Sequence, residues 1–341
     1  MMKTNKESLP NNSLGINFLK KYRQALNEIH KDVIELDDVI QNIFVAMLAD
    51  GHVILDGEPG VGKTLVAHAV AKTIDVSCSF IQFTPETMPQ DLFYSMGCLE
   101  DDGKSKTLRD MTLAKGPIFS RIVIADEINR AIPRIHGALL SPLEEKKVSL
   151  EGKEHDLSPF YFWVATQNPV ESSESTSILP EALQERFMLM VKVPYPSTDL
   201  LRRIATHDTR PHAVAKVFEM EEIVTIQNAI FEQYVLSRQI DDPIVSYIQR
   251  LITSIHDHPA VRWGPGIRAA QDIMRSAAVH AFLHENPYIT FDDVKAIAFS
   301  VLRFKFQLDH RKARKYDPPI SSNDDIIKQV LAIESLTDGS V

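Results

Sequence analysis

The chain has 341 residues, of which 44% are hydrophobic, and a formal net charge of −9 with a pI near 5.7. This length predicts one large or two ordinary domains, and the acidic balance argues against a broad nucleic-acid surface, because phosphate contacts need a basic face. The cysteines Cys78 and Cys98 have no metal-ligand spacing, and no stretch approaches the ~20 apolar residues that a membrane span requires. We therefore expect a cytoplasmic protein with no nucleic-acid partner and no membrane span.

The N-terminal region divides into a polar tail and a helical part. Residues 1–13 contain no apolar core, so they lack the pattern of a signal peptide and are predicted to be a disordered tail. From Phe18 to Leu48, apolar residues recur at helical intervals. This periodicity predicts two helices that are separated by a break near Ile34–Asp37.

The residues from Gly57 to Thr64 match the spacing G-x-x-x-x-G-K-[ST] of a phosphate-binding loop. The loop follows the apolar run Val53–Leu55, which suits a buried strand, and precedes the helical pattern of Leu65–Ile74. In this arrangement backbone N–H groups and a helix N-terminus converge on a polyphosphate, so the loop predicts binding of a nucleoside triphosphate. We assign the nucleotide contacts to Gly57, Glu58, Pro59, Gly60, Val61, Gly62, Lys63, Thr64 and Leu65.

Apolar runs and helical patterns alternate through the first part of the chain. The predicted strands are Val53–Leu55, Ser79–Phe83, Ile122–Ala125, Phe160–Ala165 and Leu189–Val193. The helices predicted between them are Leu65–Ile74, Asp91–Met96 and Ile135–Glu145. This alternation predicts an α/β fold with a mostly parallel sheet and helices on both faces.

Polar residues that follow two of the predicted strands supply chemistry for hydrolysis. Asp126 ends an apolar strand and is expected to hold Mg²⁺ together with the Thr64 hydroxyl, while Glu127 orients or deprotonates the attacking water. Lys63 is expected to reach the β- and γ-phosphates. The polar run Thr166-Gln167-Asn168 ends the next strand, where a carboxamide can contact both the γ-phosphate and the water, although such a run on its own is also typical of an ordinary turn. The expected cofactors are ATP and Mg²⁺.

Two arginines further along the chain are candidates for binding an anion. Arg186 lies just before the predicted strand Leu189–Val193. It acts within its own chain, pairs with a neighbouring acid, or reaches a nucleotide across a subunit boundary as an arginine finger. Arg268 lies in the first turn of a predicted helix, where the helix dipole disfavours a cation. It is either an ordinary exposed arginine or the partner of an outside anion, such as ATP bound between two domains.

The pattern changes after Val193, where prolines interrupt the strands and helices alone are predicted beyond Thr209–Pro211. These helices are Glu221–Leu236, Asp241–His256, Ile267–Leu283 and Phe291–Leu302. Thr290 and Asp293 predict a capping box at the start of the last helix. We therefore place an α/β nucleotide-binding core over residues 14–206 and a small all-helical domain over residues 207–341.

Several stretches taken together resemble the MoxR family of AAA+ ATPases. They are Gly51–Val53 with the phosphate-binding loop, Ile81–Pro85, Gly116–Phe119, Ala125–Ala131, Ala165–Pro169 and Leu179–Ala182. The stretches follow the family's order, and the similarity extends from about Val33 to Phe306. A series of motifs in order is far more specific than any single motif.

The resemblance implies a five-stranded parallel AAA+ sheet with a helical lid, and assembly into a ring that is most often a hexamer. The residues that match the family's functional motifs are Lys63 and Thr64 of Walker A, Asp126 and Glu127 of Walker B, the polar sensor Asn168, the trans-acting arginine finger Arg186 and the lid sensor arginine Arg268. Residues 97–115 match the insertion that such ATPases direct towards the ring pore. Family members act as chaperones that mature or remodel protein partners, often partners with a von Willebrand factor A domain.

The chain departs from the family pattern at three places outside the hydrolytic residues. Glu35-Leu36 replaces the usual Gly-Gln near the adenine, which changes the base contacts. A serine-rich stretch over residues 171–177 replaces a glycine-containing one and is expected to alter coupling between subunits. Pro142 lies inside a predicted helix, where it is expected to kink the helix or start it afresh.

The leading hypothesis is an ATP-hydrolysing motor or chaperone that remodels a protein partner. One alternative is a nucleotide-gated binding scaffold with slow turnover, which the changes at Glu35-Leu36 and in residues 171–177 would allow. Another is a chelatase-like or nucleic-acid-remodelling ATPase built on the same core. The acidic balance argues against the nucleic-acid form.

Overall fold

The computed structural model describes residues 8–96, 113–150, 152–169, 178–206 and 212–337. Its strands are β1 (Val53–Asp56), β2 (Ile74–Asp75), β3 (Cys78–Gln82), β4 (Tyr94–Met96), β5 (Leu113–Lys115), β6 (Ile122–Asp126), β7 (Lys147–Leu150), β8 (Lys153–Asp156), β9 (Phe162–Gln167), β10 (Leu189–Lys192), β11 (Phe218–Glu219), β12 (Val261–Trp263) and β13 (Gln307–Leu308). Its α-helices are α1 (Ser13–Ile29), α2 (Asp37–Leu48), α3 (Lys63–Lys72), α4 (Pro89–Phe93), α5 (Pro133–Glu145), α6 (Glu181–Gln184), α7 (Thr198–Thr206), α8 (Met220–Ile230), α9 (Pro243–His256), α10 (Ile267–Leu283), α11 (Phe291–Leu302), α12 (His310–Ala313) and α13 (Asn323–Thr337).

The centre of the molecule is a five-stranded parallel sheet with the strand order β10-β1-β9-β6-β3. Alternate residues of the strands enter two separate apolar layers. Ile122 and Ile124 of β6 belong to one layer, and Val123 and Ala125 belong to the other. Strands that are buried on both faces consist of continuous apolar residues, which is the pattern seen in the sequence. The predicted α/β architecture is confirmed.

The predicted elements of the core and lid agree closely with the observed ones. Each of the five predicted strands occurs within two residues of its expected position, and α10 and α11 have the predicted bounds. The predicted capping box is also present, because the N–H of Thr290 donates to Asp293 at 2.8 Å and the N–H of Asp293 donates to the Thr290 hydroxyl at 3.3 Å. The helix predicted over Glu221–Leu236 has two parts in the structure. Helix α8 ends at Ile230, and Phe231–Leu236 continue it as a π-helix.

The helical C-terminal part packs on the N-terminal helices rather than standing apart. Phe18 of α1 stacks on Phe218 with a ring-centroid distance of 5.0 Å, and Phe44 of α2 lies 6.1 Å from the same ring. The C-terminal part was predicted to contain helices only, but it also contains short strands. β11 pairs with β2 of the core, and β12 pairs with β13. Within the part of the chain that is described, no helix is long and apolar enough to cross a membrane.

The N-terminal prediction is wrong from Leu9 onward. Residues Leu9–Asn11 form a 3-10 turn in which Leu9 is 2% exposed, so apolar burial orders this segment. The Asn12 side chain then caps α1 by accepting a hydrogen bond from Gly15 at 2.9 Å. Residues 1–7 lie outside the described range, as do residues 97–112 of the predicted insertion and the serine-rich residues 171–177.

Two further local predictions need correction. Helix α5 runs without interruption from Pro133 to Glu145 although it contains Pro142, so the helix does not start afresh there, while the expected kink stays a prediction. Pro142 removes one hydrogen bond, the one to the carbonyl four residues earlier, and the helix tolerates this single loss. The helix predicted at Asp91–Met96 ends at Phe93, because residues Tyr94–Met96 form β4 and pair with β5. The antiparallel hairpin of β7 and β8 was not predicted.

Candidate active site

The phosphate-binding loop connects β1 to α3 at the carboxyl end of the sheet, which we call the phosphate edge. Gly60 and Gly62 have φ angles of 82° and 93°, a left-handed conformation that glycine adopts without a steric penalty. Gly57 packs against the chain that follows β10, since a Cβ there would lie 2.8 Å from the carbonyl oxygen of Val193. Helix α3 begins at Lys63, so its N-terminus and the loop N–H groups favour an anion at this edge.

Lys63 is held inside the phosphate edge by polar contacts. It is 6% exposed, and its Nζ donates to the carbonyl oxygen of Glu58 at 2.8 Å and to Asn168 Oδ1 at 2.9 Å. Burial lowers the pKa of Lys63, and three nearby carboxylates oppose that shift. The ammonium group therefore lies beside the loop with carbonyl and amide partners that a polyphosphate could replace.

Thr64 and Asp126 bring two oxygen atoms together beside the loop. The Thr64 hydroxyl donates to Asp126 Oδ1 at 2.7 Å, and the Thr166 hydroxyl donates to the same oxygen at 2.8 Å. Hard oxygen ligands suit Mg²⁺, which keeps several waters and phosphate oxygens and needs few protein ligands. The pair therefore fits Mg²⁺. Across the described ranges, no group of three or more His, Cys, Asp or Glu residues could form a separate metal site.

Glu127 follows Asp126 in a left-handed conformation with φ of 54°, which is uncommon for a residue with a side chain. Its backbone N–H donates to the Thr166 hydroxyl at 2.9 Å, which fixes this turn. Its carboxylate accepts hydrogen bonds at both oxygens, from Asn168 Nδ2 at 2.8 Å and from Arg130 Nη1 at 2.6 Å. The side chain is thereby aimed across the ends of β6 and β9.

Asn168 joins the predicted residues into one polar cluster. Its carboxamide accepts from Lys63 and donates to Glu127, and its backbone oxygen accepts from Asn129 Nδ2 at 2.9 Å. Lys63, Thr64, Asp126, Glu127 and Asn168 are therefore brought together as the sequence predicted. The contacts of Thr166, Asn129 and Arg130 were not predicted. All three lie within Ala125–Ala131 and Ala165–Pro169, two of the stretches that carry the family resemblance. Their place in these motifs could have indicated that they contribute to the site.

Arg186 and Arg268 lie at the opposite, amino end of the sheet. Arg186 precedes β10, which pairs in parallel with β1 from Val53↔Leu189 to Asp56↔Lys192. The phosphate-binding loop follows the same paired stretch, which spans roughly 13 Å at about 3.3 Å per residue. The structure therefore separates Arg186 from Lys63 of its own chain by the length of the sheet.

Glu144 holds the two arginines together at this end. Arg186 Nη2 is 2.5 Å from Glu144 Oε2, and Arg268 Nη2 pairs with Glu144 Oε1. Arg268 therefore faces Glu144, and the structure does not place it at an anion site between the two domains of its own chain. We call the group Arg186, Arg268 and Glu144 the arginine edge.

The lid is fixed to the arginine edge by Lys305, which forms a buried ion pair within the lid and also donates a hydrogen bond to the core. Lys305 is 6% exposed, and its Nζ lies 3.1 Å from Asp272 Oδ2 and donates to the carbonyl oxygen of Phe187 at 2.8 Å. Burial lowers the pKa of Lys305 and raises that of Asp272, and each partner opposes the shift of the other. Because Asp272 belongs to α10, this pair positions Arg268 beside the start of β10.

Glu35 and Leu36, which replace the family's Gly-Gln, have left-handed φ angles of 60° and 67°. Glu35 pairs with Arg203 of α7, and both residues line an open cavity of about 560 Å³. The region where adenine is expected to bind is therefore lined by the Glu35 carboxylate and the Arg203 guanidinium group.

Comparison with known proteins identifies the family. The family model described as "ATPase family associated with various cellular activities (AAA)" matches residues 52–189, and the model "AAA lid domain" matches residues 254–330. Protein YeaC of Bacillus subtilis, which is uncharacterized, is 33% identical in an alignment of 293 residues that covers 84% of this chain and 85% of YeaC. Chaperone MoxR1 of Mycobacterium tuberculosis is 28% identical in an alignment of 296 residues that covers 84% of this chain and 76% of MoxR1. This chain belongs to the MoxR family of AAA+ ATPases.

A solved structure supports the same assignment. A candidate ATPase from Cytophaga hutchinsonii is 27% identical, with a TM-score of 0.80 and coverage of 94% of this chain and 96% of that protein. The predicted MoxR-family membership and the predicted fold of AAA+ sheet and helical lid are confirmed. The matched AAA region includes the whole phosphate edge and Arg186, and the matched lid region includes Arg268 and Lys305.

Proposed function

We propose that this MoxR-family chain hydrolyses ATP to ADP and phosphate in a Mg²⁺-dependent reaction. The observation that carries the proposal is the hydrogen-bonded path from Lys63 through Asn168 to Glu127. The oxygen pair of Thr64 and Asp126 lies beside this path. Together they provide the cation, polar sensor, water-activating carboxylate and metal ligands that phosphoryl transfer requires.

Each residue of the phosphate edge has a defined task in this proposal. Thr64 and Asp126 would hold Mg²⁺, which would supply positive charge to the phosphates of the nucleotide when bound. Lys63 exchanges its carbonyl partners for phosphate oxygens. Asn168 contacts the γ-phosphate and the attacking water, and Glu127 accepts a proton from that water. Glu127 gains access to the water once its contact with Arg130 or Asn168 opens.

The site is completed by a second copy of the chain in a homo-oligomeric ring, which we propose is a hexamer. A head-to-tail contact sets one surface of a chain against a different surface of the next and closes into a ring when the rotation allows. Such a contact would bring the arginine edge of one chain to the phosphate edge of its neighbour. Arg186 then acts as an arginine finger in trans, and Arg268 joins it from the lid.

We propose that the ring works in the cytoplasm as a chaperone-like motor on a protein client. The similarity to chaperone MoxR1 supports this role, and the family resemblance makes a von Willebrand factor A domain the first client to test. The net charge of −9 favours a protein client over a nucleic acid.

Steady-state phosphate release is the direct test of the proposed reaction. Lys63→Ala should abolish ATP binding, because the loop loses its cation. Glu127→Gln should still bind ATP while its turnover falls by about 10²–10⁴-fold, the contribution expected of a general base. Glu145→Gln, an exposed carboxylate outside the site, is the matched control and should retain the parental rate. A Glu127→Gln variant that hydrolyses ATP as fast as the parent would contradict the assignment.

A second candidate function is a nucleotide-gated binding scaffold with slow turnover. The observation that favours it is the occupation of both Glu127 oxygens by Asn168 and Arg130. Rapid-quench kinetics decide between the two candidates. A single burst of phosphate without continued turnover, together with ATP-dependent client capture, would support the scaffold.

A further inference from the structure

Glu144 is shared by two guanidinium groups that come from different parts of the molecule. Arg186 belongs to the core, Arg268 is the second residue of the lid helix α10, and Glu144 is the penultimate residue of α5. Arg186 approaches one carboxylate oxygen and Arg268 the other. One negative charge therefore holds two positive charges at a single point, and the trio retains a net positive charge.

The trio remains open to a further anion. The side chains of Glu144 and Arg268 are 33% and 39% exposed, and that of Arg186 is 20% exposed. The Nε of Arg186 is buried without a hydrogen-bond partner among the described atoms, so its donors are not all used. A guanidinium group has five N–H donors arranged to bind oxyanions in pairs, and a phosphate offers more acceptors and more charge than a carboxylate.

We propose that Glu144 is a positioning residue that competes with the neighbouring chain's γ-phosphate for Arg186 and Arg268. This inference rests on the proposed trans action of the arginine edge. In a free chain the carboxylate holds the two guanidinium groups together and neutralises part of their charge. When a nucleotide-bound neighbour arrives, its phosphate must displace Glu144 from the same donors. Glu144 thereby weakens the engagement of neighbours and sets the chain concentration at which active sites form.

A donor titration tests this competition. The acceptor is the Arg186→Ala chain, which keeps its phosphate edge, and the donor is the Glu127→Gln chain, which keeps its arginine edge. ATPase activity is measured at fixed acceptor concentration while the donor concentration is raised. Adding Glu144→Gln to the donor should lower the half-saturating donor concentration by about 3- to 10-fold, because a competing charge is removed. The matched control adds Glu145→Gln, which removes the neighbouring carboxylate and should leave half-saturation unchanged.

The outcomes separate this inference from the function on which it rests. If the unmodified donor fails to activate the acceptor although the chains co-assemble, the trans function itself is wrong. If the donor activates but Glu144→Gln and Glu145→Gln donors half-saturate at the same concentration, the competition is wrong. A Glu144→Gln donor that binds more weakly than the control also overturns it.

A second measurement needs neither a ring nor hydrolysis. In the Lys63→Ala background the chain's own phosphate loop is disabled, and inorganic tripolyphosphate is titrated by calorimetry. Glu144→Gln should tighten tripolyphosphate binding several-fold, and the further change Arg268→Ala should remove the gain. Equal binding by the Lys63→Ala chain with and without Glu144→Gln would contradict the inference.

Discussion

The phosphate edge and the arginine edge belong to the same sheet but are assembled differently. At the phosphate edge, residues at the ends of the neighbouring parallel strands β6 and β9 contact one another directly, with Thr166–Asp126 at 2.8 Å and Asn168–Glu127 at 2.8 Å. At the arginine edge, two cations from the core and the lid meet on one acidic side chain. In the function that we propose, the first edge binds the nucleotide and activates water, and the second supplies cations to a neighbouring chain. Under this proposal neither edge is a complete catalytic site alone.

Among the variants that test the difference between the two edges, Arg186→Ala is expected to have the largest effect. Removing an arginine finger should lower kcat by at least about 10³-fold, while ATP affinity at the intact phosphate edge changes little. Arg202→Ala, which changes a 77% exposed arginine of α7, should leave kcat unchanged. Phosphate release and nucleotide titration measure the two quantities. A loss of less than about tenfold would place the catalytic cation elsewhere.

Lys305→Met tests the charge pair that orients the lid helix α10 beside the arginine edge. The change leaves the buried Asp272 carboxylate without its cation, at a cost of about 3 kcal/mol in the free energy of unfolding. The double variant Lys305→Met/Asp272→Leu removes both charges and should recover most of that loss. Urea unfolding of the parent, single and double variants measures the effect. Equal destabilisation in the single and double variants would contradict a role for the charge pair.

Asn168→Ala tests the internal connection of the phosphate edge. It removes the contacts to both Lys63 and Glu127, so kcat should fall by about 10²-fold, as for the loss of one preorganised hydrogen-bond donor. Gln167→Ala is the matched control, because Gln167 precedes it on β9 and contacts Asp56 instead. Steady-state kinetics should show a larger effect on kcat than on KM. A similar loss in both variants would mean that general disturbance of the strand end is responsible.

The smallest expected effect is on the pH dependence of stability, and it comes from His52, which is buried just before β1. His52 Nδ1 accepts from the backbone N–H of Trp163 at 3.3 Å, and its other nitrogen contacts the carbonyl oxygen of Leu143 at 3.0 Å. Burial lowers the pKa of His52 to about 4 from 6.5. Below pH 6.5 the unfolded chain binds a proton that the folded chain excludes, so stability falls as pH falls towards 4.

Between pH 7 and pH 5 this site should cost about 2 kcal/mol of unfolding free energy. Other groups titrate in the same range, so the informative quantity is the difference between the parent and His52→Gln. Urea unfolding across this interval should show a shallower pH dependence for the variant. If the unfolding free energy depends on pH equally in the two proteins, His52 is not the source of that dependence.

The phosphate edge was predictable because its determinants are local. A loop motif and acidic or amide residues after buried strands specify where side chains meet, since parallel strands end at a common edge. The sheet and the core of the lid followed from apolar periodicity in the same way. Leu9 was missed because it is one apolar residue in a polar stretch, and its burial depends on joining a core whose members come from many parts of the chain. The continuity of α5 through Pro142 was missed because a proline removes only one backbone hydrogen bond of the helix, and the sequence does not show whether the rest of the fold tolerates that loss.

The arginine edge was less predictable because it depends on tertiary contacts. No local pattern links Glu144 of α5 with Arg186 before β10 and Arg268 of α10, which lie far apart along the chain. The sequence left open whether Arg186 pairs with an acid or acts in trans, and the structure has it paired with Glu144 in the single chain. The position of Arg268 follows from lid docking through Lys305, which sequence reasoning did not single out.

The most direct test of a site shared between chains is the ATPase activity of a mixture. Arg186→Ala chains keep the phosphate edge, and Glu127→Gln chains keep the arginine edge, so each protein alone should be nearly inactive. In a randomly mixed equimolar ring, about one interface in four joins two intact edges, and phosphate release should recover to about a quarter of the parental rate. No recovery in a mixture whose co-assembly has been verified would contradict the account.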